Sequence, residues 1–414
     1  MQNDRMIIAV VLAACLLAPI SCIGAESRPA QDANAPATKK KPRIVDYSYV
    51  RKIWLDMDHY TAVVFDVRTG KQLRNLPIVP LAHSHFSSGL RPAQPAGSDK
   101  IGYIDAMGNW LIRPQFDGAM DFSEGRARVK VGDKVGVIDS ARRWVVEPGK
   151  YEDISCFFEG LAWVCTNDPN SGSPRIGFIG IDGRMAIEPI FHDVWAPFSE
   201  GLCAVYGPEN TKDEGWIYSD RLGKPQFKPY VSHVKDGRTD FEGVRQLLVF
   251  TDGLAGFMTI EPGPDKSHNL HLFGFMSRKG EVVIKPRFKE IQPFSEGLAC
   301  CVLTREQAGL HRDPNYSDTY DRVFGVIDIK GRIVVPFKYD DIGPFCEGLA
   351  AFSEDGGLWG YMDRTGKVVI PARFSTASSF EGGFATVSLD GKIVIIDRTG
   401  RVIIRTNVKG GPVF

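Results

Sequence analysis

The chain has no net charge: its 50 Lys and Arg are balanced by 50 Asp and Glu. That balance removes electrostatic capture of nucleic acid, or of an anionic membrane, as a default role. A long apolar run is also missing. The longest, Met6 to Ile20, is too short to span a bilayer comfortably. Its eight cysteines include no Cys-x-x-Cys pair, which excludes the usual zinc and dithiol arrangements. There is no Gly-x-Ser-x-Gly elbow, no phosphate-cradling Gly-rich loop and no His-Glu-x-x-His. Ser, His and Asp occur without local organisation, so no catalytic residue, metal site or cofactor is expected. Glycine and proline are plentiful, at 43 and 26 residues, as suits an all-β chain with many turns.

The N-terminus reads as an export signal over residues 1–25. Arg5 precedes the apolar stretch, and Ile23-Gly24-Ala25 ends in a small residue suited to cleavage. The alternative is lipidation at Cys22, which would make the protein a lipoprotein and give its sole link to a membrane. Residues 26–43, rich in Ala, Pro, Gln and Lys, read as a flexible linker. The folded part is then 44–414. The expected location is outside the cytoplasm: periplasm, cell surface or medium. Six cysteines remain in the folded part, and Cys156 with Cys165 is the best disulfide candidate across one tight turn.

What fills residues 44–414 is one phrase, repeated. Gly-aromatic-Ile-Asp-x-x-Gly leads to an apolar run ending in Pro, then to Phe-x-Glu-Gly-Leu-Ala. Clear copies start at Gly102, Gly136, Gly177, Gly274, Gly325 and Gly360. The first glycine lies six residues before the end of the Asp-x-x-Gly turn (360 to 366, for example). It lies 22 to 24 before the Glu-Gly glycine (360 to 382, 177 to 201). Degenerate copies at Val64 and Gly215 and a half copy at 392–404 make about eight copies and a half. A period of this length means an array or ring of small units. Each unit reads as four short strands, with the Asp-x-x-Gly hairpin the most secure.

The phrase resembles the bacterial WG-repeat family. Trp359-Gly360-Tyr361-Met362-Asp363 and Lys134-Val135-Gly136-Val137-Ile138-Asp139 carry the resemblance best. Where the tryptophan would stand, most copies keep another apolar residue: Ile101, Val135, Ile176, Phe273 and Phe324. The resemblance implies a β-repeat scaffold and no common enzyme activity. The expected fold is all-β, with tandem four-strand repeats in a β-propeller-like ring, or an open stack as alternative. The half copy favours the ring, since residues 44–55 read as strand and would complete one unit with it.

Features shared by every copy belong to the scaffold. The acids at Glu124, Glu159, Glu200, Asp252, Glu296, Glu347 and Glu381 recur, whereas acid–base catalysis needs one asymmetric pair. They are expected to accept turn amides. Asymmetry lies in four long joints, 165–175, 206–214, 261–272 and 303–323, read as linking the last strand of one copy to the first of the next. Equivalent joints fall on one face, and long loops are often functional. A further insertion, 235–246, lies inside the distorted copy that starts at Gly215.

Two functional readings follow. In the first, a non-enzymatic scaffold binds a protein or cell-envelope polymer through His268, His271, Arg305, His311, Arg312, Tyr316 and Tyr320. In the second, a hydrolase or lyase acts on glycan or peptide through His268, His271, His311, Asp313 and Asp318. A purely structural envelope protein is the remaining alternative.

Overall fold

The computed structural model describes residues 52–56, 61–66, 71–76, 78–81, 87–105, 107–168, 171–207, 215–228, 244–262, 269–311, 321–354 and 357–409. The expected signal, the linker and Cys22 lie outside these. Among the described residues every regular element is a strand. Nine antiparallel sheets follow one another along the chain. A three-stranded one covers 52–76. Four-stranded ones cover 78–116, 118–146, 153–191, 193–227, 244–288, 290–339, 341–374 and 376–409. They are called the first to the ninth sheet below. Each is a meander in which successive strands pair.

Local chemistry explains each strand. In the seventh sheet, Leu298–Leu303 and Val323–Asp328 are the middle strands, and both are buried on both faces. They are accordingly continuous apolar runs rather than alternating ones. Asp328 then turns the chain. Its Oδ1 accepts the N–H groups of Lys330 at 2.9 Å and Arg332 at 3.0 Å, and Gly331 takes φ 76°. In the third sheet Arg142, not glycine, ends the equivalent turn, at φ 68°. The six-residue spacing holds there without the expected glycine.

Fourth strands face water on one side. In Trp110–Phe116, Met185–Phe191 and Val282–Phe288 only the third and seventh residues are buried. Leu111, Ile190, Val282, Ile333 and Val368 stand exposed on this outer belt. Pro114, Pro189, Pro286, Pro336 and Pro371 interrupt it. Proline has no N–H to offer, so these edges resist pairing with another chain. Opposite these prolines sits the glycine that opens the repeated phrase. A Cβ on Gly102 would lie 2.4 Å from the Ile112 carbonyl oxygen, and on Gly274 2.5 Å from that of Ile284. The outer strand folds over the middle one at a register shift, and only a hydrogen fits beneath it.

The hydrophobic core is divided. Each cluster lies between two successive sheets: Val326 and Phe352 share one, Phe178 and Val205 another, Tyr361 and Ile396 a third. Neighbouring sheets therefore stabilise each other, as in other repeat architectures.

Two expectations need correction. The sequence copy and the sheet are out of phase by two strands: each sheet joins the end of one copy to the start of the next. The half copy at 392–404 is thus paired already, completing the ninth sheet with Thr376–Ala377 and Phe384–Leu389. Of the expected partner segment 44–55 the described part is 52–55, and Lys52–Asp56 pairs with Thr61–Asp66 rather than with the half copy. By the same shift, the four long joints are hairpin loops inside single sheets. They connect second strands to third.

Among the described residues no sheet closes on itself. The ends of the described array nonetheless meet, because Lys52–Asp56 approaches Val402–Lys409 and the first sheet also packs on the second. No disulfide joins Cys156 to Cys165. Cys165 stands opposite Asp153 in the ladder, three residues short of Cys156, so the two thiols are out of register.

Candidate functional site

Every sheet has two ends, and they differ. One holds the Phe-x-Glu-Gly and Asp-x-x-Gly turns. The other holds the hairpin loops between second and third strands, together with the crossovers to the next sheet.

The turn end is closed by bonds between neighbours. Glu124 accepts the N–H of Gly160 at 2.7 Å, Glu159 that of Gly201 at 2.8 Å, and Asp252 that of Gly297 at 2.7 Å. Glu200, Glu296 and Glu347 do the same for Gly253, Gly348 and Gly383. The expected turn amides are the partners, but they belong to the next sheet. The serine beside the acid adds a bond: Ser199 donates to the Phe250 carbonyl at 2.6 Å and Ser295 to that of Phe345 at 2.8 Å. Phe122, Phe157, Phe198, Phe250, Phe294, Phe345 and Phe380 are all buried. The repeated phrase is therefore a joint between sheets. At its last occurrence Gly382, not Glu381, takes the place of the acid, since Glu381 bridges Phe384 as Ser123 bridges Arg126.

Because these joints align the turn ends from the third sheet to the ninth, the loop ends are gathered on the opposite side. The four long loops belong to the fourth, fifth, sixth and seventh sheets, which are consecutive. Of the candidate binding residues, His271, Arg305 and His311 are described. His271 is exposed on the sixth sheet's third strand, and His311 is exposed in the seventh sheet's loop. Arg305 is half-buried, with its guanidinium 4.0 Å from both Asp321 and Asp340. His268, Arg312, Tyr316 and Tyr320 lie outside the described residues, as do Asp313 and Asp318. Among the described residues no group of three or more His, Cys, Asp or Glu is arranged to hold a metal ion. At the same end, burial pushes the carboxyl of Asp341 above the ordinary range.

Sequence reasoning missed a cluster here. His192 and Trp195 flank the start of the fifth sheet's first strand. Tyr206 and Trp216 pair across its second and third strands. Trp195 and Trp216 have ring centroids 5.4 Å apart and nearly perpendicular, at 81°. Tyr206 meets Trp216 at 5.5 Å and 90°, and His192 at 6.2 Å and 85°. Arg175, from the fourth sheet, reaches His192 Nδ1 at 2.7 Å and lies 3.9 Å from Asp168. A guanidinium cannot accept, so Nδ1 is the acceptor and the ring proton sits on Nε2. All five side chains are half-buried.

A signal for this cluster was present in the sequence. Five residues separate Asp193 from Phe198, against four from Glu290 to Phe294, and the extra one makes a bulge at Trp195. Ile217 also stands where other copies have glycine. The fifth sheet tolerates it because its fourth strand is only Pro225–Phe227.

Six stretches match the model of the WG containing repeat: residues 101–134, 136–168, 176–206, 273–300, 324–357 and 359–392. The gap between 206 and 273 spans the degenerate copy. No curated protein matches the chain by sequence. Among solved structures, the chain is similar to BamB from Moraxella catarrhalis, with 13% identity, 81% of this chain and 92% of that one covered, and a TM-score of 0.35. Apo AztD from Citrobacter koseri shares 14% identity over 85% and 93% of the two chains, with a TM-score of 0.34. The β-propeller domain of the Trilobed protease from Pyrococcus furiosus shares 8% over 76% and 96%, with a TM-score of 0.32.

Proposed function

We propose, on the premise that the chain is a WG-repeat protein, that it is an exported, non-enzymatic scaffold which binds a protein or cell-envelope component through the loop end of its sheets. One observation carries this reading: the turn end is spent on joints between sheets, while the loop end of four consecutive sheets carries the longest and most varied segments. Residues that repeat hold the scaffold, and residues that differ are available for recognition. Export rests on the N-terminal residues 1–25, and Cys22 would supply a lipid anchor.

The test compares the full chain with one lacking 305–321, each used to capture partners from envelope extract. The deleted segment joins two strands of one sheet, and its Ala308 and Leu310 rest on the core, so the thermal midpoint should fall modestly with the sheets still folded while capture is lost. Capture retained without the loop overturns the assignment of this face.

A further inference from the structure

We infer that the loop end of the fifth sheet is a saccharide-binding site, formed by Trp195, Tyr206 and Trp216 with Arg175 and His192. This deepens the scaffold reading by naming a ligand class, and it rests on the loop end being the recognition face.

Both tryptophans rest against the core between the fifth and sixth sheets, and Trp216 holds the apolar position that Phe324 and Trp359 hold in other copies, but the repeat does not demand the rest of the cluster. Where Tyr206 stands, the equivalent residues are Lys130, Cys165, Val302, Ser353 and Ser388. A ring that the fold required would recur, as the tyrosines in third strands do. Those tyrosines also show what a structural aromatic looks like here. Tyr103, Tyr218 and Tyr361 are 0 to 1% exposed, and each hydroxyl donates to a carbonyl of the next sheet at 2.7 or 2.8 Å. Trp195, Tyr206 and Trp216 are only half-buried. Trp195 is the extra residue of a bulged strand, and Trp216 lies in the copy that the repeat model leaves unmatched.

The chemistry selects the ligand. Perpendicular rings at 5.4 and 5.5 Å make a corner of apolar walls. The C–H faces of a pyranose stack on such walls, and its hydroxyls then need donors and acceptors at the rim. Arg175 and His192 supply donors, and the exposed Asp193, opposite Tyr206 in the ladder, supplies an acceptor. An aromatic corner also attracts quaternary ammonium groups. The Arg175 guanidinium, 2.7 Å from His192, opposes a cation here and leaves the saccharide as the fitting class.

The experiment titrates the full chain with cellotetraose, chitotetraose and a tetramer of galacturonic acid, following tryptophan fluorescence. Choline is the control. At least one saccharide should give a saturable change, with affinity weakened tenfold or more by Trp195→Ala and by Tyr206→Ala. Arg175→Gln, at the rim, should weaken it severalfold while leaving the thermal midpoint unchanged, which separates binding from folding. No saturable change with any saccharide, a response to choline alone, or a saccharide response untouched by all three substitutions overturns the proposal. Capture from extract that depends on 305–321, alongside silence toward saccharides, would leave the scaffold reading standing and remove only this inference.

Discussion

Glu296 links two sheets twice. Its carboxylate accepts the Gly348 N–H at 3.0 and 3.2 Å, and its backbone carbonyl accepts from Arg364. It does so from φ 54°, a conformation that side chains adopt at a cost. Removing the carboxylate leaves an N–H of the next sheet without its partner, so Glu296→Ala should destabilise by about 1–3 kcal/mol in urea unfolding. No measurable change would show the joint to be decorative. Asp363 works within its own turn. The Thr365 hydroxyl, then the Thr365 and Lys367 N–H groups, hold its carboxyl below the ordinary range. Because the folded value is depressed, this stabilisation is complete above the unfolded pKa of about 4 and fades as pH falls through the folded value. Thr365→Ala should move the Asp363 titration upward in a carboxyl NMR experiment, and an unmoved titration would refute the assignment.

At the scale of the element, the glycine and the proline of the repeat explain each other. The outer strand crosses closely over the middle one, so the middle strand must be bare at that point. Gly102→Ala would place a methyl 2.4 Å from backbone rather than from a movable side chain. We expect a loss of about 3 kcal/mol, read from the urea midpoint, in line with overpacking elsewhere. Middle strands also hide their thiols. Cys203, Cys300 and Cys301 are buried, and burial pushes all three thiols up; Cys346 is buried in the turn ahead of such a strand. Of the six cysteines from 156 to 346, a thiol reagent should therefore label only Cys156 and Cys165 in the native protein. Peptide mapping that found Cys301 modified without unfolding would contradict this burial.

For the molecule as a whole, cohesion is local and repeated. Cores lie between successive sheets, and the carboxylate joints run along one side only. The two ends of the array meet through Lys52–Asp56 and Val402–Lys409. From the third sheet to the ninth, one side is thereby committed to structure, and the other is left to vary. The 305–321 deletion tests this division directly, because it should abolish recognition while the sheets remain folded.

The sequence by itself determined the strands, the turns and the repeat. Those depend on short-range chemistry: β-branched runs, an aspartate that caps its own turn, a glycine that takes positive φ, and a proline that ends a ladder. Spacing alone also showed that the acids at the Glu-Gly turns are scaffold, since a residue present in every copy has no special place. Only the tertiary structure decided where one sheet ends and the next begins. Repetition has no inherent starting point, and the pairing of Val394 with Val387 rather than with Lys52–Asp56 depends on which edge is nearest in space. It also decided which turn each glutamate serves, because Glu124 and Gly160 are 36 residues apart along the chain and 2.7 Å apart in the fold. The aromatic cluster was legible only in part. An inserted residue before Phe198 could be counted, but Arg175, His192, Trp195, Tyr206 and Trp216 sit on two sheets and four strands or their edges. Antiparallel pairing and sheet packing, not proximity in sequence, bring them to one corner.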